Sequence, residues 1–181
     1  MKTHIALLRG INVSGHKIIK MELLRKVLSE LDLDNIRTYI QSGNIIFESN
    51  SSDISKLEMQ IAAKIEEHFG FVVPVTVVTP GELFAIINKN PYAKATLSDA
   101  AQPYVSFLSE IPKNDYLEVL KTIDFKGDAF ISIDKTLYIW YSNFAGNSKL
   151  SNAIIESKLK LRSTARNWKT VLKLYELATA K

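Results

Sequence analysis

Hydrophobic positions in residues 1–80 follow two different spacings, which predict both strands and helices. The apolar run from Ile5 to Leu8 is closed by Arg9 and predicts a strand buried on both faces. Within Lys20–Leu31, apolar residues recur at intervals of three and four, which predicts a helix with one buried face. Asn35–Gln41 alternates, which is the pattern of a strand with two unlike faces.

Ser42-Gly43 separates this strand from a second strand, Asn44–Glu48, by two residues. Such a spacing predicts a two-residue hairpin in which Gly43 adopts a positive φ. Asn44 follows the turn directly, and we expect its side-chain amide to hold the turn together.

A helix and a further strand complete this part of the chain. Ile54–Phe69 carries an apolar face, and Gly70 is expected to end the helix. Val72–Thr79 is rich in β-branched residues and predicts a strand, and Pro74 indicates either an edge position or the entry of the strand. The resulting order, β-α-β-β-α-β, is that of a ferredoxin-like or split βαβ unit.

The remainder of the chain repeats most of this order. A connecting helix, Glu82–Asn88, leads into a linker-like segment, Asn90–Gln102. The next predicted elements are the strand Tyr104–Ser109, the helix Asn114–Ile123, and the strands Ala129–Asp134 and Leu137–Tyr141. The last helix is predicted over Ala165–Ala178 with Thr164 as its N-cap, and no closing strand is evident before it.

These patterns predict an α+β protein built from two ferredoxin-like halves packed together. The first half is residues 1–80, the connecting helix and linker are residues 81–102, and the second half is residues 103–181. The C-terminal helix is expected to tie the halves together, because an isolated helix of its length is marginal in water. Its predicted apolar stripe consists of Trp168, Val171, Leu172, Tyr175 and Ala178.

The composition is that of a globular protein with a mild positive charge. Of the 181 residues, 46% are hydrophobic and 23% charged, and the net charge is +4, which permits an anionic partner without requiring one. The absence of cysteine excludes disulfides, thiol catalysis and cysteine-bound zinc, and it favours a cytoplasmic location. No apolar stretch has the length of a membrane span or a signal peptide, so no membrane contact is expected.

The segment Leu7–Lys17 has the glycine spacing of a phosphate-binding loop without its chemistry. Gly10 and Gly15 are spaced as in a P-loop, yet His16 stands where lysine is required. Lys17 is one place late, and it is followed by Ile18 instead of the metal-binding hydroxyl. The segment is therefore interpreted as a loop that turns the chain or as a general anion site made by backbone N–H groups.

Three arginines form a more specific candidate site than this loop. Arg9 ends the first strand, Arg37 lies on the second, and Arg166 lies at the start of the last predicted helix. Guanidinium groups bind carboxylates and phosphates through paired hydrogen bonds, although clustered charges also occur in purely structural networks. Together with nearby amide and amine side chains, the candidate ligand-binding residues are Arg9, Asn12, Lys17, Arg37, Gln41 and Arg166.

Acidic residues are scarce around these arginines. None occurs between Met1 and Met21, within Arg37–Asn44 or within Ser163–Tyr175, which favours a bound anion as the source of charge compensation. The three histidines lack the spacing of metal ligands, and no serine lies in a nucleophile elbow. We therefore predict no metal and no cofactor, and the sequence identifies no catalytic residue.

Three segments resemble the signature blocks of a bacterial family known as domain of unknown function 1697. They are Leu7–Val13, Arg37–Asn44 and Ala165–Thr170, in that order along the chain. The resemblance implies a small α+β protein of ferredoxin-like halves and no particular activity. The loop Ser14–Ile18 departs from the family pattern, because one glycine of the usual pair is replaced and the following residues are less basic.

Two functions of different classes agree with these observations. The first is a cytoplasmic protein that binds a small anionic ligand, such as a nucleotide or phosphorylated metabolite, between its halves. The second is a nucleic-acid-binding module, whose affinity would fall steeply with rising salt. A structural or protein-interaction role is a third interpretation.

Overall fold

The computed structural model describes residues 1–95 and 102–180, which form two four-stranded antiparallel sheets and six α-helices, an α+β fold. The first seven elements are β1 (Lys2–Leu8), α1 (Met21–Leu28), β2 (Asp34–Tyr39), β3 (Asn44–Ser49), α2 (Ile54–Phe69), β4 (Val75–Val78) and α3 (Pro80–Lys89). The next seven are β5 (Gln102–Leu108), α4 (Asn114–Lys121), β6 (Ala129–Ile133), β7 (Thr136–Tyr141), α5 (Asn152–Leu159), β8 (Ser163–Asn167) and α6 (Trp168–Thr179).

The first sheet has the strand order β2-β3-β1-β4, so β2 and β4 are its edges. The edge position of β4 confirms the expectation from Pro74. One face of the sheet is covered by helices, because Leu24 of α1 and Ile61 of α2 share a buried cluster with Leu8 and Phe47 of the strands.

The second sheet has the corresponding order β6-β7-β5-β8. Leu120 of α4 and Ile155 of α5 share a buried cluster with Leu108 and Ile139 of the strands. Each sheet therefore has its own apolar core.

Each half also contains a backbone hydrogen bond at the corresponding place. The N–H of Leu8, at the end of β1, donates to the carbonyl of Gly43 in the β2–β3 turn at 2.8 Å. The N–H of Leu108, at the end of β5, donates to the carbonyl of Lys135 in the β6–β7 turn at 2.9 Å. The first and central strand of each half is thus joined to the tip of its own hairpin.

The second half does contain a closing strand, contrary to the prediction. Residues 163–167 form β8 and pair with β5, so the last helix begins at Trp168, and Thr164 is not its N-cap. The side chain of Asn167 performs that role, since its Oδ1 accepts from the N–H of Thr170 at 2.8 Å. The strand escaped prediction because its sequence, Ser-Thr-Ala-Arg-Asn, has no alternating apolar residues.

The buried face of α6 also differs from the predicted stripe. Trp168, Val171 and Ala178 are buried as expected, but Leu172 is 42% exposed and Leu174 takes its place with 1% exposure.

The hairpin between β2 and β3 exists, but its loop is longer than predicted. Tyr39 is the last residue of β2, so four residues, 40–43, form the connection. Ile40 leaves the strand ladder because its φ is 50°, and the predicted positive φ of Gly43 is confirmed at 76°. The side-chain amide of Asn44 donates to the carbonyl of Tyr39 at 3.1 Å, which confirms its expected role in the turn.

Two compact units divide the chain: residues 1–84 with 173–181, and residues 85–172. The predicted partition at residues 80 and 103 followed the order of elements, whereas these units follow spatial proximity. Each of the two helices that follow a closing strand, α3 and α6, begins in one unit and ends in the other. The predicted linker Asn90–Gln102 lies partly outside the described residues; within them, residues 91–94 form turns and Gln102 begins β5.

Across the described ranges, 1–95 and 102–180, no helix has the length and apolar character needed to span a membrane.

Candidate functional site

The loop between β1 and α1 is closed by Asn12. Its side-chain amide nitrogen donates to the carbonyls of Ile19 at 3.0 Å and Gln41 at 2.7 Å, and its Oδ1 accepts from the N–H of Ile19 at 2.8 Å. Its φ of 54° is a conformation that asparagine adopts more readily than most residues. Both amide hydrogens of Asn12 are thus used within the protein, and the residue holds the loop in shape.

A second connection joins the same two segments at Gly43. The site is too tight for a side chain, since a Cβ on Gly43 would lie 2.7 Å from the Cβ of Leu8 and 2.8 Å from the Cδ1 of Ile11. Gln41 takes part in this region through its backbone carbonyl, while the residue itself is exposed. The structure therefore brings Asn12 and Gln41 together, through a bond that stabilises the loops.

Lys17 lies at the exposed end of the same loop. Its Nζ donates to the carbonyl of Val72 at 2.6 Å and lies 5.8 Å from the ring centre of Phe71. These contacts connect the loop to the segment that precedes β4.

Arg9 and Arg166 belong to different units. Arg9 follows β1, is half-buried, and donates its backbone N–H to the carbonyl of Pro74 at 3.0 Å. Arg166 lies on β8 beside Val105 of β5 and is only 8% exposed. Its Nη1 donates to the carbonyl of Ala165 at 2.9 Å, and burial lowers its pKa to about 10.

Arg37 lines a groove of about 390 Å³ at the β2 edge of the first sheet. The lining residues are Arg25, Ile36, Arg37, Thr38, Ile46 and Leu177. Arg37 donates through Nη2 to the carbonyl of Leu177 near the end of α6, at 3.0 Å. Arg25 donates through Nη1 to the hydroxyl of Thr38, at 2.6 Å. Both guanidinium groups are thereby held at the groove by one bond each.

The two arginines reach the groove from opposite faces of the sheet. Thr38 pairs with Ile45, which belongs to the core under the helices, so Thr38 and Arg25 lie on the helix-covered side. Arg37 pairs with Ile46 and therefore projects from the other side. In residues 1–95 and 102–180, no carboxylate forms an ion pair with Arg25 or Arg37.

Arg25 was missed by sequence reasoning, and only Arg37 of the six predicted residues lines this groove. On the sequence, Arg25 is one polar residue on the exposed face of an amphipathic helix, which is usually a solvated position. The order of elements offered one indication of its role. Because β2 follows α1 directly along the chain, polar residues at the side of α1 can lie next to the edge strand β2.

The histidines and carboxylates contribute no metal site among the described residues, because no three of their side chains cluster as ligands would. His4 is buried, stacks on Phe47 with ring centres 5.4 Å apart, and donates from Nδ1 to the carbonyl of Lys2 at 2.9 Å. Burial lowers the pKa of His4, which favours the neutral form of its ring.

Fold and groove together define a small α+β protein in which two guanidinium groups at one sheet edge form no ion pair with the described residues. The chain belongs to the family described as "Protein of unknown function (DUF1697)", whose pattern matches residues 1–138. The matched range contains Leu7–Val13 and Arg37–Asn44, whereas the third resembling segment, Ala165–Thr170, lies beyond it. No curated protein matches the chain.

A solved structure supports the fold over nearly all of the chain. The conserved bacterial protein SP0830 from Streptococcus pneumoniae is 22% identical and superimposes with a TM-score of 0.71. The match covers 98% of each chain. At this level of identity the likeness concerns the fold alone.

Proposed function

We propose that this protein binds an anionic ligand in the groove at the β2 edge. The observation that carries the proposal is the presence of two guanidinium groups, Arg25 and Arg37, at one groove without a partner carboxylate in the described parts of the chain. Positive charges without a counter-ion attract an anion to the groove that they line. A phosphate or carboxylate is the natural ligand of such a pair.

The donors available to the ligand are those that the protein does not use itself. A guanidinium group carries several N–H donors in a planar fork, and Arg25 and Arg37 each spend one side-chain nitrogen on a protein acceptor. The remaining donors can form paired hydrogen bonds with oxygens of the ligand. Ile36, Ile46 and Leu177 add an apolar lining, which suits a ligand with an apolar part beside its charge.

The experiment measures thermal unfolding of the wild type, Arg25→Gln and Arg37→Gln with phosphate, sulfate or a nucleotide at constant ionic strength. An anion that binds only the folded state raises the melting temperature of the wild type, and each variant is expected to lose that increase. Arg162→Gln is the matched control, because Arg162 is an exposed arginine of the second unit. No anion effect on the wild type, or an equal effect on all four proteins, would contradict the proposal.

Two further parts of the proposal concern the fold type and the location. Each half is assigned as a ferredoxin-like unit, supported by the order β-α-β-β-α-β and by strand orders in which the first strand is central. A cytoplasmic location is supported by the absence of cysteine.

A further inference from the structure

The two edges of the first sheet differ in the hydrogen bonds that their backbone groups make. At β4, the backbone N–H of Val77 donates to the Oε1 of Glu58 at 2.9 Å, so a side chain of α2 occupies part of that edge. At β2, no backbone group of residues 36–38 has a hydrogen-bond partner beyond the ladder with β3, as far as residues 1–95 and 102–180 are concerned. Since an antiparallel strand directs alternate residues away from its neighbour, β2 retains unpaired donors and acceptors at the groove.

An exposed edge of this kind pairs readily with an extended segment of another chain. The part of β2 that is open to such pairing is short. Asn35, with a φ of 49°, interrupts the ladder on one side, and Ile40, with a φ of 50°, ends it on the other. Backbone pairing is thus restricted to residues 36–38, and side-chain contacts have to supply much of the affinity.

The charges beside this edge specify which segment fits. Successive residues of an added strand point to opposite faces of the sheet. Arg37 lies on one face, and Arg25, bonded to Thr38, lies on the other. Two neighbouring carboxylates would therefore reach Arg37 and Arg25 respectively. Two carboxylates separated by one residue would both lie on the same face of the sheet and would reach only one of the two arginines. Asp34, exposed at the other end of β2, would repel acids placed there.

We infer that the anionic ligand of the groove is an extended acidic segment of a partner protein, which pairs with β2 as a fifth strand and places two adjacent carboxylates on Arg25 and Arg37. This inference rests on the proposed function, because it uses the same two guanidinium groups. It adds the backbone of β2 as the element that recognises the ligand.

The test uses two short labelled peptides of identical composition, with neutral β-branched residues around two glutamates, and measures binding by fluorescence polarisation. In one peptide the glutamates are adjacent, and in the other a single residue separates them. The adjacent form is expected to bind more tightly, and Arg25→Gln and Arg37→Gln should each weaken it about tenfold, as loss of a charge-assisted hydrogen bond does. Arg162→Gln should leave binding unchanged.

A second experiment changes only the peptide, so that its result does not depend on whether a protein variant folds. Two further peptides carry an N-methyl group on one or the other of two successive backbone amides. Because only alternate amides face the neighbouring strand, one methylation should abolish binding and the other should be tolerated. Equal binding of the two glutamate isomers, or equal effects of the two methylations, would overturn the inference.

The outcomes also separate the inference from the proposed function. If phosphate or a nucleotide stabilises the protein through Arg25 and Arg37 but no peptide binds, the proposed function is supported and the inferred peptide ligand is wrong. Concentration-dependent self-association through β2 without peptide would replace the partner by a second copy of this chain and overturn the inference. If neither small anions nor peptides respond to the two variants, both statements fall.

Discussion

Asn12 and Gly43 join two of the three segments that carry the family resemblance, and each does so by a different physical means. Asn12 uses hydrogen bonds from its side chain, whereas Gly43 permits a backbone approach that any Cβ would prevent. The sequence predicted the positive φ of Gly43 from turn chemistry, but the close approach to Leu8 depends on a neighbour thirty-five positions away. For the same reason, Asn12 was assigned to a ligand although its partners are backbone groups.

At this scale we predict that Gly43→Ala destabilises the protein more than Gly10→Ala. Both glycines have a positive φ, of 76° and 68° respectively, but only the methyl group at position 43 would collide with other atoms. The difference in unfolding free energy should be about 1–3 kcal/mol, the usual cost of overpacking. Urea unfolding of the two variants measures it, and coincident midpoints would refute the steric account.

Elements with a strong apolar period were predicted well, and elements without one were not. The helices α1 and α2 follow from the spacing of one buried face, and the strands β3 and β7 follow from short apolar runs that are buried on both faces. In β8 the buried side chains are Ser163, Thr164 and Arg166, and nothing in a polar run indicates that it pairs with β5. The start of α6 was consequently placed too early.

We predict that Asn167→Ala lowers the unfolding free energy by about 0.5–2 kcal/mol, the usual cost of removing an N-cap. The physical reason is the loss of the acceptor for the N–H of Thr170. Asn167→Asp should retain most of the stability, since a carboxylate accepts the same bond and favours a helix N-terminus. Chemical denaturation compares the three proteins. If the alanine and aspartate variants lost equal stability, the capping role would be wrong.

At the scale of the whole molecule, the α+β class and the family membership could be predicted, while the composition of the two units could not. The sequence indicates the order of elements, and order alone places the last helix with the second half. The structure assigns residues 173–181 to the first unit, where Tyr175 stacks on Phe84 at 5.6 Å and Leu177 accepts a bond from Arg37. Such contacts follow from packing between distant segments, which no local pattern encodes.

Truncation after Leu172 is therefore expected to destabilise the first unit. The shortened chain loses the buried side chain of Leu174 and the contacts of Tyr175 and Leu177, and removing a buried leucine alone costs about 2–5 kcal/mol. Amide NMR spectra should lose dispersion for residues 1–84. The full-length variant Leu172→Ala, altered at an exposed position, should keep the native spectrum. A truncated chain with sharp, dispersed signals would show that the terminal segment is dispensable.

The placement of residues 173–181 in the first unit also governs the order of events during synthesis. Domains generally fold as they leave the ribosome, N-terminal ones first. Here the N-terminal sheet and its helices emerge before residues 85–172, but the segment that completes their unit follows after those residues. The first unit therefore cannot be completed during synthesis until the residues of the second unit have been translated.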